Sequence, residues 1–290
     1  MKDYSSLSTR TSFLMVKPFS LAAILLTGNT YAGDWSVGAG VLAEQLPYRD
    51  YDAQYIPLPI VTYQGEQFFI NSQGIGINLL SSEKHNLHLA VNYSPLSFKP
   101  ADSDDPAMKK LDKRRATAMA GIGYQYHADW GSLNADIATD VLGYSDGVIA
   151  DVGYQYRFQF GKFQLVPGFG MRWQNRAFNN YYFGISEPES QRSGMQQYRA
   201  KSGVTSYISL ASYYAINNDW QLFLIGFNEQ MSDTVKDSPM TDRDYSINAV
   251  AGVLYSFCST QYLIKPAMTP NTHSWEGAVF AITHCTLICD

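Results

Sequence analysis

The sequence is poor in cysteine, in charge and in long apolar runs. Its first 257 residues contain no cysteine, so neither a disulfide framework nor a cysteine-based zinc site can form there. Charged residues make up 16% of the 290-residue chain, whereas soluble domains average about 25%. Outside one segment near the N-terminus, no apolar run approaches the roughly 18 to 20 residues that a spanning helix needs. A bundle of transmembrane helices is therefore excluded.

Aromatic residues are abundant instead. The chain holds 21 Tyr, 15 Phe and 5 Trp, together 14% of its residues, yet its mean hydropathy is only -0.20. An aromatic-rich chain of low charge that is apolar at every second residue is what a β-barrel in an outer membrane requires. The net charge of -5 argues against a nucleic-acid partner, because nucleic acid favours a basic surface.

Residues 1–32 are typical of a secretory signal peptide. Positively charged residues precede the short apolar core of residues 21–26, and Ala32 supplies a small residue at the end of the segment. The apolar run is too short to anchor the chain in a membrane. We therefore predict cleavage after Ala32 and note that Met15 would open a more compact leader.

Strict alternation dominates the sequence from Trp35 onward. In residues 153–160 every even position is aromatic, and every odd position is Gly, Gln or Arg. Successive side chains of a strand point to opposite faces, so these rings share one face. Rings on one face suit the bilayer interface, where amphipathic aromatic groups are favoured. The pattern predicts an all-β fold, an antiparallel transmembrane β-barrel over residues 33–257.

The connections predict about 12 strands, with short turns on the periplasmic side and long loops outside. Short turns fall near 129–131, 161–162 and 217–219, and they alternate with longer polar stretches at about 98–114, 143–147, 174–200 and 232–245. Residues 66–82 fit either one bent strand or a hairpin that turns at Gln73-Gly74. Both chain ends belong in the periplasm, and this even parity favours the hairpin.

Charges of both signs fall on predicted inward positions of the strands. These candidate lumen residues are Arg115, Asp136, Asp140, Arg157 and Arg172. Rings of charged side chains can select solutes in a pore, and the same charges can also pair and plug a narrow barrel. We favour the plug, although a barrel of about 12 strands lies between filled small barrels and water-filled porins.

No catalytic, metal or cofactor site is predicted. Asp102, Asp104 and Asp105 lack the Gly turn and the distal Glu of a calcium loop. His88 is the one barrel histidine at an inward mid-strand position, and no triad can be assembled around it. We expect a protein without enzymatic activity and without cofactor.

Several loop segments resemble a known family. They are Asp102-Ser103-Asp104-Asp105-Pro106, Leu111-Asp112-Lys113-Arg114, Tyr181-Tyr182-Phe183-Gly184-Ile185-Ser186 with Glu189 and Arg192-Ser193-Gly194, and Asp237-Ser238-Pro239-Met240. Over about residues 33–257 the chain resembles the family named for MltA-interacting protein and OmpV. The resemblance implies an outer-membrane β-barrel. One member of that family looks like a scaffold that joins a lytic transglycosylase to a peptidoglycan synthase, and others are porin-like or adhesive.

The most specific part of the resemblance is the tyrosine-rich loop. Its candidate residues are Tyr181, Tyr182, Gly184, Glu189, Arg192 and Gly194. They could form an exposed recognition surface, or the loop could fold inward and cap the lumen, with Arg192 paired to Glu187 or Glu189. We expect a scaffold whose periplasmic turns dock a murein hydrolase or synthase. The alternatives are a narrow porin-like channel and a surface adhesin, and the oligomeric state stays open.

Residues 258–290 break the pattern of the chain. They show no alternation and carry all three cysteines, Cys258, Cys285 and Cys289. Barrels of this class, including relatives in the family, usually stop at a terminal aromatic, which here is Phe257, and the family pattern has no counterpart of the tail. We interpret the tail as foreign, the product of a frameshift, a lost stop codon or an insertion. The alternative is a periplasmic extension in which Cys285 and Cys289 form a disulfide.

Overall fold

The computed structural model describes residues 33–257. The predicted signal peptide and the cysteine-bearing tail lie outside the described residues. The described strands are β1 (Gly33–Gln45), β2 (Gln54–Gly65), β3 (Phe68–Ile70), β4 (Gly74–Ser81), β5 (His85–Ser94), β6 (Thr117–Ala128), β7 (Gly131–Asp140), β8 (Val148–Gln155), β9 (Phe158–Phe160), β10 (Phe163–Gln174), β11 (Gly203–Ala215), β12 (Trp220–Gln230) and β13 (Tyr245–Phe257). The described helices are α1 (Arg176–Phe183), α2 (Glu187–Ser193) and α3 (Asp233–Lys236).

The strands form one closed antiparallel barrel. Each strand pairs with its neighbours in sequence, and β13 closes the ring by pairing with β1, where Phe257 lies opposite Trp35. The segments β8 and β9 both pair with β10 and are two parts of one strand, broken at 156–157. The barrel therefore has 12 strands, which confirms the predicted number and the hairpin at Gln73-Gly74.

Alternating burial explains why these segments form strands. Along β13 the side chains of Ser246 and Leu254 are buried in the interior, whereas those of Ile247 and Phe257 are exposed on the outer surface. An apolar surface interrupted at every second residue matches a strand with one lipid-facing side and one lumen-facing side. No helix among residues 33–257 is long and apolar enough to cross a membrane.

Two rings of exposed aromatic residues mark the edges of the lipid-facing band. The ring at the short-turn end contains Trp35, Trp130, Phe158, Phe160, Phe163, Trp220 and Phe257. At this end the aromatic side chains of Trp130 and Tyr154 stack, with their ring centres 6.1 Å apart. The ring at the opposite end contains Tyr55, Tyr93, Trp173 and Tyr245. Aromatic girdles at both interfaces are typical of outer-membrane barrels, and the alternating aromatics of residues 153–160 supply part of the periplasmic one.

The largest buried core lies outside the strands. The outer loops 46–53, 95–116, 175–202 and 231–244 pack on one another, and we name them together the outer cap. Tyr48, Phe98, Tyr182 and Met240, one from each loop, are fully buried in it. A second buried group, the lumen cluster, lies inside the barrel. It consists of Ile60, Val166, Tyr213, Phe223, Ile225 and Leu254.

Candidate functional site

An arginine between two carboxylates lies at the centre of the polar part of the lumen. The Arg172 Nε atom is 3.1 Å from Oδ2 of Asp151, and its Nη1 atom is 2.6 Å from Oε1 of Glu229. The three residues lie on inward positions of β10, β8 and β12, so the strand alternation brings them together. Arg172 thus joins a carboxylate of the adjacent strand β8 to one of β12, which lies beyond β11 in the same part of the wall. Neither carboxylate was among the predicted lumen charges.

Tyr207 extends this charge cluster along the wall. Its hydroxyl donates to Oδ1 of Asp151 at 2.8 Å, and the Arg172 guanidinium lies 5.5 Å from the centre of its ring, within cation–π range. The ring lies against Gly153 and Gly170. A Cβ at Gly153 would lie 2.7 Å from the Tyr207 hydroxyl, so a side chain at that position would displace Tyr207.

Asp136 faces the lumen on β7, directly opposite Asp151 of β8 in the strand register. Its Oδ1 atom is 3.7 Å from Nε2 of His88, and the Nδ1 atom of His88 lies 3.0 Å from Oδ1 of Asn86. Gly123 separates His88 and Asp136, and a Cβ there would collide with both side chains. His88 therefore lies in the wall of the lumen between Asn86 of its own strand and Asp136 of β7, which it approaches across Gly123 of β6.

The other predicted lumen charges lie apart from this cluster. Asp140 ends β7, and its Oδ2 atom accepts the backbone N–H of Ser145 at 2.6 Å and the Ser145 hydroxyl at 2.8 Å, which orders the β7–β8 loop. Arg157 is half-buried in the break between β8 and β9, at the periplasmic end. Arg115 was expected inside, but it precedes β6 and is exposed, with its guanidinium 5.4 Å from the Tyr144 ring centre. The chain has left the barrel there to enter the outer cap, so strand alternation no longer directs the side chain inward.

Glu189, from the tyrosine-rich loop, is the best-connected carboxylate of the outer cap. Its Oε1 atom accepts from Nη2 of Arg114 at 2.7 Å and from the backbone N–H of Asp112 at 2.9 Å. Its Oε2 atom accepts the backbone N–H of Ser186 at 2.9 Å and completes a capping box at the start of α2. Burial alone would raise the pKa of Glu189, but these donors and the Arg114 charge hold that pKa below its usual value.

The two tyrosines of the tyrosine-rich loop point into the outer cap, whereas Arg192 and Gly194 of the same motif are exposed. Tyr182 is fully buried, and its hydroxyl donates to the backbone carbonyl of Arg115 at 3.0 Å. Burial raises the pKa of Tyr182. The hydroxyl of Tyr181 accepts the backbone N–H of Arg115 at 2.9 Å. Both tyrosines therefore fasten the loop to residues 95–116.

The two glycines and the arginine of this motif have separate roles. Gly184 ends α1, and its carbonyl accepts from Arg114 Nη2 at 3.0 Å. Gly194 ends α2 with φ of 78°, a left-handed conformation that glycine adopts without strain. Arg192 pairs with Asp112, whereas its closest approach to Glu189 is 4.0 Å. The main partner of Arg192 is therefore a residue of another loop and not Glu187 or Glu189.

The remaining motif segments also meet in the outer cap. The hydroxyl of Ser238 donates to the carbonyl of Phe183 at 2.6 Å, and Met240 is fully buried. In the acidic segment, Oδ1 of Asp105 accepts the backbone N–H of Ala107 at 2.7 Å, and Asp102 accepts from Gln54 at 3.0 Å. Among residues 33–257 no group of three or more His, Cys, Asp or Glu side chains could hold a metal ion.

Sequence reasoning missed Asp151, Glu229 and Arg114. Asp151 continues the odd-numbered inward set of residues 153–157, so the alternation could have identified it. Glu229 follows Phe223, Ile225 and Phe227 on the inward face of β12, where apolar side chains obscure the pattern. Arg114 was named only as part of a loop motif, and the motif does not indicate its partner, because Glu189 is 75 residues away along the chain.

Comparison with known proteins decides the family. The family model described as MltA-interacting protein MipA matches residues 37–257. The chain belongs to the MipA family. The putative outer membrane protein YiaT of Escherichia coli K12 is 36% identical, over 82% of this chain and 97% of the relative. The MltA-interacting protein of the same strain is 34% identical, over 83% and 99%.

More distant members of the MipA family are also outer-membrane proteins. The outer membrane protein OmpV of Vibrio cholerae is 25% identical, over 79% of this chain and 88% of the relative. Among solved structures, the NanC porin aligns with a TM-score of 0.37 and 8% identity, over 77% of this chain and 99% of that protein. The named relatives and the barrel together place this MipA-family chain in the outer membrane.

Proposed function

We propose that the protein is a non-enzymatic interaction scaffold that holds cell-wall machinery at the outer membrane, and not an open channel. One observation favours the scaffold over the channel. The outer mouth of the barrel is covered by the buried core of the outer cap, and the interior holds both the paired charges of Arg172 and the lumen cluster. A filled and covered barrel supports docking on its rim better than solute flow.

The murein link rests on a relative. The MltA-interacting protein of Escherichia coli is named for an interaction with MltA, and it is similar to this chain over nearly its whole length. We propose that this chain likewise binds a murein enzyme. The periplasmic side of the barrel consists of short turns, which leave a flat rim for such a partner.

The periplasmic rim is acidic. Five carboxylates and two lysines lie in the turns or beside them: Asp34, Glu66, Glu83, Asp129 and Asp219, with Lys84 and Lys162. One of the two cations is engaged, since Lys162 Nζ donates to the carbonyl of Ile216 at 3.0 Å. Complementary charge steers protein partners and fixes their orientation, so the rim favours a partner with a basic face.

Capture of a lytic transglycosylase by the purified, detergent-solubilised barrel tests this proposal. The variant Glu66→Lys/Glu83→Lys/Asp219→Lys should lower the affinity by about tenfold or more at low salt, because it reverses the charge of the rim. The matched control, Asp104→Lys/Asp233→Lys, changes exposed charges of the outer cap and should leave capture unchanged. Failure of the unmodified protein to capture the enzyme at low salt would count against the scaffold.

A narrow channel is the second candidate, and the polar lumen favours it. Arg172, Asp151, Glu229 and Asp136 line one zone of the interior, and such charges can select ions. Conductance of the purified protein across a planar bilayer separates the two candidates. Reproducible open channels that change ion selectivity in Arg172→Met would favour transport. A closed bilayer with retained enzyme capture would favour the scaffold.

A further inference from the structure

The barrel wall is incomplete on one side. The strand β2 pairs with β1 along its whole length, but with β3 only through Tyr63 and Gln64. The strand β3 has three residues, the chain turns at once, and β4 begins at Gly74. Among the described residues, 54–62 of β2 therefore have no strand on their second side. The strand β4 pairs with β5 up to Asn92, and the carbonyl of Gln73 accepts the N–H of Tyr93 at 2.7 Å. The gap therefore lies above the β3–β4 hairpin, between β2 and the outer end of β5, where two strand segments are missing over about 14 Å at three strand spacings.

This gap is closed above and below, and we name it the side window. Its lower edge is the tip of the β3–β4 hairpin, where Oδ1 of Asn71 accepts the backbone N–H of Gly74 at 2.8 Å. Its upper edge is a junction of two outer-cap loops. There Gln54 donates to Oδ2 of Asp102 at 3.0 Å, and Tyr51 pairs with Ser103 in an isolated β-bridge.

Two prolines fit the open edge of β2. Residues of an antiparallel pair alternate between hydrogen-bonded and non-hydrogen-bonded positions. Pro57 and Pro59 have no N–H, so the bonds from this part of β2 to β1 come from the residues between them, and the proline nitrogens point into the side window. Proline at these positions removes two donors that would otherwise face lipid unpaired. It also prevents another strand from completing a ladder on this edge.

The window edge is apolar on both faces of the strand. Residues 55–61 read Tyr-Ile-Pro-Leu-Pro-Ile-Val, without a polar residue apart from the tyrosine hydroxyl. Leu58 and Ile60 point inward, where Ile60 belongs to the lumen cluster and Leu58 packs against it. The strand β7, by contrast, alternates apolar outward residues with polar inward ones. The side window therefore connects the lipid phase with the apolar part of the interior.

The side window lies at the depth of acyl chains. Tyr55 at the outer end of β2 and Tyr93 near the outer end of β5 belong to the outer aromatic ring. Residues 56–62 lie below this ring, in the outer half of the hydrocarbon layer. An occupant at that depth has to be apolar, because water and ions are not available there.

We propose that the side window is a binding site for the acyl chain of an outer-leaflet amphiphile. The chain would enter between β2 and β5 above the β3–β4 hairpin and contact Ile56, Leu58 and Ile60. A partner strand is disfavoured as occupant, since Pro57 and Pro59 cannot donate to it. This inference does not depend on the scaffold function, because it concerns the membrane-embedded wall and not the periplasmic rim.

Fluorescence quenching by brominated lipid tests the site. The three native cysteines are changed to Ser, and a bimane probe is attached to Leu58→Cys in vesicles of phosphatidylcholine with brominated acyl chains. The controls are Val250→Cys, inward on β13 beside the same lumen cluster, and Leu222→Cys, outward on β12. Quenching at Leu58 should approach that at Leu222 and exceed that at Val250 by about threefold, since lipid is absent from a closed lumen. Equal quenching at Leu58 and Val250 would overturn the proposal.

Photo-crosslinking of the unmodified chain excludes outward swing of the probe as the cause. A palmitate that carries a diazirine is activated in vesicles, and its adducts are assigned by mass spectrometry. Adducts on the inward side chains Ile56 or Leu58 support the site. Adducts confined to outward side chains of β2, such as Val61, overturn it. A photo-activatable amino acid in place of Ile56 that cross-links two copies of the chain would also overturn it, because a protein strand would then be the occupant.

Discussion

The outer cap and the lumen each hold an arginine bound to carboxylate, in different surroundings. In the outer cap, Arg114 and Glu189 expose only 9% and 3% of their side chains. In the lumen, Arg172 exposes 31%, and its partners Asp151 and Glu229 expose 14% and 17%. The cap pair is therefore isolated from solvent, whereas Arg172 and its two carboxylates keep partial access to it.

This difference in exposure predicts which of the two ion pairs holds its part of the structure together. A buried ion pair contributes little net stability over apolar packing, but loss of one partner leaves an uncompensated charge. Glu189 also accepts two backbone N–H groups, so its removal would affect loops 95–116 and 175–202 together. The lumen carboxylates can recover hydration when Arg172 is lost. We therefore expect the stability of the outer cap to depend on the Arg114–Glu189 pair more than the stability of the barrel depends on the ion pairs of Arg172.

The largest effect is expected for Glu189→Gln. The substitution leaves the Arg114 charge buried without a counter-ion, which costs about 3 to 5 kcal/mol. Opening of the outer cap should rise by about 100-fold or more, measured as amide hydrogen exchange in residues 178–190. The barrel should still insert with heat-modifiable mobility. Glu187→Gln, two residues earlier on the exposed side of α2, is the control and should leave exchange unchanged. Equal hydrogen exchange in both variants would contradict the view that the Arg114–Glu189 pair holds the outer cap closed.

A smaller effect is expected for Arg172→Met. It leaves Asp151 and Glu229 without their shared cation, and partial hydration limits the loss to about 1 to 3 kcal/mol. The urea midpoint of barrel unfolding in detergent should fall. Adding Glu229→Gln to this variant should restore part of the loss, because one of the two unpaired carboxylates is removed. A double variant no more stable than the single one would contradict this account.

The strands of the barrel were predictable from the sequence. The ion pairs of the lumen and of the outer cap were only partly so. The two-residue alternation predicted 12 strands, the loops between them and the inward positions of Asp136 and Arg172, because it depends only on residues that are neighbours in sequence. Asp151 was within reach of the same rule. The Arg114–Glu189 pair was not, because it depends on how two long loops fold over the barrel end. The motif identified Glu189 but offered Arg192 as its partner.

The sequence indicates part of the side window. Pro57 and Pro59 in an otherwise apolar strand indicate an edge strand, because proline cannot donate to a ladder. The sequence of residues 66–72 nevertheless predicts an ordinary strand, and only pairing shows that β3 stops after Ile70. Length of pairing depends on where the chain turns, and Asn71 sets that turn by accepting the N–H groups of Gln73 and Gly74.

Acid should weaken the outer cap. Glu189 has a folded-state pKa below its ordinary value of 4.5, so its contribution is fully present above pH 4.5 and is lost as the pH falls through the lower, folded-state pKa. Hydrogen exchange in residues 178–190 should therefore accelerate below pH 4.5, after correction for the intrinsic rate. Glu189→Gln should lack this acceleration. An unchanged pH profile in that variant would assign the acid response to another group.

The smallest effect is expected for Arg192→Gln, which makes the sharpest comparison with Glu189→Gln because both residues lie on α2. Arg192 and Asp112 expose 41% and 63% of their side chains, so solvent screens the pair, and its loss costs about 0 to 1 kcal/mol. Hydrogen exchange in residues 178–190 should rise by less than about fivefold. A rise as large as that of Glu189→Gln would show that the contacts of α2 as a whole, and not burial of one ion pair, hold the outer cap closed.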